Sequence, residues 1–264
     1  YVYTYILMEE KIAQKFGNGS HVVLPKEYRG RRIRFVTEAK AFEDIKSEIL
    51  EILKPYLENI VGVYLYGSYS RNEQTVESDA DILVITSDKL KIIENIDNYH
   101  IVSTTINSIE NTLKNNAVLV LPIIKEAKTI INPDSLRKYK EYKFTEKNTQ
   151  QFLNDTKKIL ELNKKGIKLS FETGSLVYSL MLRIRGLLMI EFIMSNKQYS
   201  KASLYDYLEN NNFSKNKIED LYRIYSSERN DIRVKESTII TKNDIEKLLS
   251  IAEKLLNEVK RLLK

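Results

Sequence analysis

The sequence predicts an α+β protein in which a mixed sheet with flanking helices is followed by an all-α bundle. Three observations carry this. Between residues 41 and 140, helical apolar stripes alternate with short apolar strands. From about residue 145 onward, nearly every segment repeats its apolar residues at the 3.6-residue helical period. Before both, residues 1–38 hold two short β-rich runs punctuated by Pro25 and Gly30. The expected organisation is a small N-terminal β unit (1–38), a sheet-and-helix domain (39–143) and a helical bundle (144–264).

Each element has its own signature. "HVVLP" (21–25) and "RRIRFV" (31–36) read as two strands of a hairpin. Phe42, Ile45, Ile49, Leu50, Ile52 and Leu53 form one helical stripe, which Pro55 closes or kinks because it has no N–H to donate. "IVGVYLYG" (60–67), "ADILVIT" (80–86) and "YHIVSTT" (99–105) are strands, with helices expected around 88–95 and 107–115. In the bundle, "SLVYSLMLRIRGLLMIEFIM" is apolar nearly all round, as a central helix must be. The last helix buries Ile245, Leu248, Ala252, Leu255, Val259 and Leu262 on one face, and Thr241 or Asn243 can cap its start. "STII" (237–240) is the one strand-like stretch in this half.

Composition narrows the chemistry. The 264 residues include no cysteine, which excludes disulfides, zinc–thiolate sites and thiol catalysis. Only His21 and His100 are present, so a histidine-rich metal site is excluded too. A net charge of +6 favours anionic partners such as nucleotides or nucleic acid. The best apolar run, Leu176 to Met194, is interrupted by Arg183, Arg185 and Glu191 and does not read as a membrane span. No signal-peptide pattern is evident at the start, and a cytoplasmic location is expected.

The stretch "YLYGSYSRNEQTVESDADILV" (64–84) carries the functional signal. An apolar strand stops at Gly67-Ser68, ten residues intervene, and the next strand opens with Asp79-Ala80-Asp81. Residues two apart on a strand share a face, so the two carboxylates repel unless something cationic lies between them; a divalent metal ion is the usual answer. The Gly-Ser, ten-residue gap and Asp-x-Asp resemble the signature of the DNA polymerase beta-like nucleotidyltransferase superfamily, particularly its minimal (MNT) branch. That resemblance implies a mixed sheet with helices and transfer of a nucleoside monophosphate from an NTP, ATP being expected, with pyrophosphate release. It implies that Gly67 and Ser68 bind phosphates, that Arg71 adds a cation one turn into a following helix, and that Asp79 and Asp81 hold Mg²⁺ or Mn²⁺. The acceptor is a protein hydroxyl, an RNA end or a small molecule; the sequence does not choose among them.

Active members of the family usually carry a third carboxylate on a later strand, and "YHIVSTT" has none. His100 stands at about that place, either as a third metal ligand or as an ordinary strand-end histidine. In kanamycin nucleotidyltransferase-like proteins the helical domain supplies a general base; here the candidate is Glu191, which continues the apolar stripe of Leu180, Ile184 and Leu187, the alternative being a buried ion pair with Arg183 or another arginine. The bundle also resembles HEPN-like domains. Their ribonuclease motif pairs an arginine with a histidine across four to six intervening residues, but after Arg229 there is no histidine, so RNA cleavage is not expected. Finally, "FGNGSHVVLPKEYRGRRIRFV" is similar to AbrB-like DNA-binding hairpins, which implies nucleic-acid contacts through Arg29, Arg31, Arg32 and Arg34 and a homodimer. The alternative is a β unit with a solvated basic face. The competing function is a catalytically lapsed member acting as a nucleic-acid-binding or antitoxin-like partner.

Overall fold

In the computed structural model, residues 11–229 and 240–264 are described. They divide into two compact units, Tyr1–Glu38 and Ala39–Lys264. In the first, β1 (Gln14–Phe16) and β2 (Gly19–His21) form a two-stranded antiparallel hairpin. Gly17 turns it at φ +58°, and the Phe16 and His21 rings meet edge-on with centroids 5.3 Å apart. This corrects the expected hairpin. Residues 22–25 and 31–36 form no strand, Lys26–Tyr28 make a single 3-10 turn, and the basic residues Arg29, Arg31, Arg32 and Arg34 lie exposed on irregular chain. Alternation of apolar and charged residues in "RRIRFV" was compatible with a strand but brought no partner.

The second unit opens with α1 (Phe42–Leu53), after which Pro55 starts a 3-10 turn rather than extending the helix. Then come β3 (Ile60–Tyr66), β4 (Ala80–Thr86), β5 (Asn95–Ile96) and β6 (Tyr99–Thr105). The next elements are α2 (Ile106–Asn115), α3 (Leu121–Glu126), β7 (Lys128–Ile131) and α4 (Asp134–Lys140). No helix forms over 88–95, which holds an irregular connection into β5. The sheet order is β5-β6-β4-β3-β7, with β4 and β6 parallel and every other pair antiparallel.

Strand alternation sorts the sheet into two faces. Val63, Leu65, Ile82, Val84 and Ile101 pack on Ile45, Ile49 and Leu53 of α1. Tyr64, Leu83 and Ile85 face the other way and join a core that runs without a break into the bundle. The bundle comprises α5 (Glu146–Lys168), α6 (Thr173–Met194), α7 (Lys201–Asn210), α8 (Lys215–Arg229) and α9 (Lys242–Leu262). Thr145, Ser200 and Thr241 begin α5, α7 and α9 with capping boxes, each hydroxyl accepting from the third helical N–H. The apolar α6 packs against α5, α8 and α9, which explains why its sequence shows no polar face. Most of the strand-like "STII" and the stretch after Arg229 lie outside the described residues. Among the described residues, no helix is long and apolar enough to cross a membrane.

Candidate active site

The site is built where β3 ends. Gly67 adopts φ +75°, a conformation that side chains with a Cβ rarely take. A Cβ there would stand 2.2 Å from Asp81 Oδ2. Glycine is thus required twice, for the backbone angle and for the space the carboxylate occupies. The chain then makes one helical turn, with the Ser70 hydroxyl and the Arg71 N–H both donating to the Gly67 carbonyl at 2.9 and 3.3 Å. It does not continue into the helix expected after Gly-Ser, because Asn72 turns left-handed at φ 58° and Glu73 N–H returns to the Ser68 carbonyl at 2.9 Å. Lys128, the first residue of β7, holds the loop from outside, donating to the Tyr69 carbonyl at 3.2 Å and to Asn72 Oδ1 at 2.8 Å.

Asp81 lies opposite Tyr66 in the antiparallel pair and opposite His100 in the parallel one. Alternation along β4 puts it on the face of Leu83 and Ile85, the side that meets the bundle. His100 Nδ1 stands 3.3 Å from Asp81 Oδ1. Burial pushes the Asp81 carboxyl above its usual range, while His100, Arg229 and Arg71 pull it back. Asp79 is exposed and sits one residue before β4 begins. Among the described residues, no three side chains of His, Cys, Asp or Glu are arranged to hold a metal ion. His100, expected either as a third ligand beside Asp79 and Asp81 or as an ordinary strand-end histidine, has its Nδ1 directed at an Asp81 oxygen.

Glu126, at the end of α3, was not singled out from the sequence. Its Oε1 accepts the Gly67 N–H at 2.9 Å and its Oε2 accepts from Arg71 Nη1 at 2.7 Å. Arg71 Nε donates to Glu73 Oε2 at 2.8 Å. Burial opposes the Arg71 charge, but the two carboxylates outweigh it and hold the guanidinium above its ordinary value. The arginine read as a phosphate cation is therefore committed, through two of its nitrogens, to the loop itself. The other Glu73 oxygen accepts from the backbone N–H of Lys201, tying the loop to the start of α7. The Ser68 hydroxyl has no hydrogen-bond partner among the described residues.

Glu191 does not join this cluster. Burial, then repulsion from Glu258, pushes its carboxyl up, and only Lys197 opposes them. Its expected ion pair with Arg183 is not formed either; Arg183 senses Asp155 and lies over the Phe152 ring at 5.7 Å.

Residues 47–136 match the family model described as Polymerase beta, Nucleotidyltransferase. This stretch is a polymerase beta-type nucleotidyltransferase domain. Its bounds enclose Gly67, Ser68, Asp79, Asp81, His100 and Glu126. Among solved structures, the chain is similar to spectinomycin adenyltransferase AAD(9) from Enterococcus faecialis, crystallised with ATP and spectinomycin. The two share 15% identity over 84% of this chain and 100% of that one, at a TM-score of 0.44. It is also similar to a nucleotidyltransferase-like protein from Exiguobacterium sibiricum, at 14% identity over 84% of this chain and 77% of that one, with a TM-score of 0.35. No curated protein matches the chain.

Proposed function

We propose that the protein transfers a nucleoside monophosphate from an NTP, with ATP the expected donor, to an acceptor and releases pyrophosphate. The observation that carries this is the seating of the Asp81 carboxylate against the left-handed Gly67, within a domain of the nucleotidyltransferase family. On this reading, the Ser68 hydroxyl binds a phosphate oxygen. Gly67 keeps the backbone open, and Arg71, held by Glu73 and Glu126, fixes the shape of the loop from behind.

The donor set fits a magnesium ion. Mg²⁺ prefers oxygen ligands and is commonly bound by one or two carboxylates plus substrate phosphates and water, so a cage of three protein ligands is not needed. Asp79 and Asp81 would hold it, and an imidazole is a poor ligand for so hard a cation. When bound, the ion neutralises charge on the phosphates. His100 then serves to orient Asp81, restricting the rotation of its carboxylate.

The test is thermal. Mg²⁺-NTP at about 100 times its Kd stabilises a native state by roughly 2.7 kcal/mol, a rise of about 5–10 °C in Tm for a protein of this size. Asp81→Asn should abolish the rise. An undiminished shift in that variant would remove Asp81 from the site.

A further inference from the structure

A cavity opens where the sheet domain passes into the bundle. It measures about 740 Å³ and is lined by the second half of α2, the connection after α4 and the first turn of α5. Buried Asn148 holds this corner together. Its Oδ1 accepts the Thr145 N–H at 2.8 Å, and its Nδ2 donates to the Lys143 carbonyl at 3.1 Å. Tyr142, partly buried against the core, brings an aromatic ring to the wall. The lining shares no residue with the Gly67 centre.

The wall is rich in donors with nothing to bind. Lys114, Lys143 and Lys147 border the cavity, and none pairs with a carboxylate among the described residues. Lys114 shows how this comes about. Glu110 precedes it by one helical turn, the spacing at which such pairs form. But one Glu110 oxygen accepts from both the Tyr139 hydroxyl at 2.6 Å and Lys138 at 3.0 Å, so α4 takes the acid. The Asn111 amide is in a similar position: its oxygen accepts from Asn115 Nδ2 at 2.8 Å, and its own NH₂ has no acceptor among the described residues. Glu141 is the one acid of the lining, so three lysines leave it at a net charge of +2. Like charges held around one cavity repel each other, and an anion placed among them relieves that repulsion.

We infer that this cavity is a second binding site, separate from the transfer centre, and that it takes a nucleotide unit. Ammonium groups suit phosphate oxygens, and an asparagine amide suits the edge of a base. An aromatic ring at the wall gives a base a face on which to stack. The volume lies within the roughly 300–1,000 Å³ of small-molecule pockets, enough for a base, a sugar and a phosphate together. The unit is either a free nucleotide or one residue of a single strand. The inference goes beyond nucleotidyl transfer and does not depend on it.

AMP and a short labelled oligouridylate are titrated into the full chain with EDTA present, by calorimetry and by fluorescence anisotropy. Wild type should bind at least one of them. K114Q and K147Q should each weaken that Kd by roughly 10-fold, the equivalent of one hydrogen bond to a charged group. Both side chains are exposed and unpaired, so Tm should not fall. The control is K157Q with K158Q, which removes two exposed lysines of α5 outside the cavity and should leave binding unchanged. Ribose 5-phosphate, which lacks the base, should bind more weakly than AMP.

The two probes separate the two sources, both of which uphold the inference. Loss of AMP binding in the cavity variants marks a free nucleotide, and loss of oligouridylate binding alone marks a strand. Equal binding of both probes by wild type and the K114Q/K147Q double variant would overturn the inference. So would an equal loss in the K157Q/K158Q control, which would mean attraction by overall charge, or ribose 5-phosphate matching AMP. Absence of any response up to about 10 mM, where even a site of millimolar Kd is filled, would overturn it as well. Asp81→Asn should bind the probes like wild type, so failure of this cavity and failure of nucleotidyl transfer are told apart.

Discussion

Replacing Glu126 tests the way the Gly67 loop is held. The Arg71 side chain is 9% exposed and its partners Glu126 and Glu73 are 12% and 19% exposed, so this is a network largely withdrawn from solvent. Glu126→Ala strips the acceptor from the Gly67 N–H and one counter-ion from Arg71. Removing one partner of a buried pair costs about 3–5 kcal/mol. Glu73 remains on Nε at 2.8 Å, which places the loss near the lower end, about 3 kcal/mol. At roughly 2–4 °C per kcal/mol for a chain of this size, Tm should fall by about 6–12 °C. Glu126→Gln keeps an oxygen for Gly67 and loses only the charge, so it should cost about 1–2 kcal/mol. Combining Glu126→Ala with Arg71→Met in denaturant melts should show a coupling of at least about 1.5 kcal/mol, because without the arginine there is no cation left to strand. Additivity within about 0.5 kcal/mol would refute the shared network.

Other expectations are independent of it. Gly67→Ala forces a Cβ into the Asp81 oxygen and into φ +75°; it should abolish the Mg²⁺-NTP response in a thermal shift assay while the far-ultraviolet circular dichroism stays native. Asp81→Asn should raise Tm of the ligand-free protein. The native carboxyl holds its proton above the ordinary value of 3.8, so ionisation favours the unfolded chain, and stability falls as pH rises from there through the raised value. The advantage of the asparagine variant should accordingly grow across that acidic interval and level off above it, which melting curves against pH will show. For the N-terminal unit, replacing Arg31, Arg32 and Arg34 together should flatten the log–log salt dependence of duplex DNA binding by up to about three units. Absence of any duplex binding by wild type in gel shifts at low salt would remove nucleic acid as a partner of those arginines.

The motif that marks the candidate centre could be read in advance because it is local. Gly67-Ser68 and Asp79-x-Asp81 owe their meaning to fixed spacing between two apolar strands, and those strands formed where the β-branched runs predicted. The bundle was legible for the same reason, since a 3.6-residue stripe survives whatever its partner is. Glu126 was not. It lies at the end of a six-residue helix whose apolar neighbours give no hint of a carboxylate's destination, and its partner Gly67 is 59 residues away. Arg71 was noticed as a cation, but sequence does not show which acids fold over it. The hairpin failed through the opposite fault. "RRIRFV" has the composition of a strand, but a strand needs a neighbour to accept its hydrogen bonds, and composition cannot supply one.

The bond from the Lys201 N–H to Glu73 spans 128 residues of sequence. During synthesis at about 5–20 residues per second, the loop that carries Gly67 waits roughly 6–26 s before its anchor on α7 has even been made. A nascent chain therefore emerges from the ribosome with the signature residues in place but without the bundle's contact to the loop. The order of the gene itself delays that anchor until most of the polypeptide is finished, and a truncated product that stops after α4 would carry the motif without it.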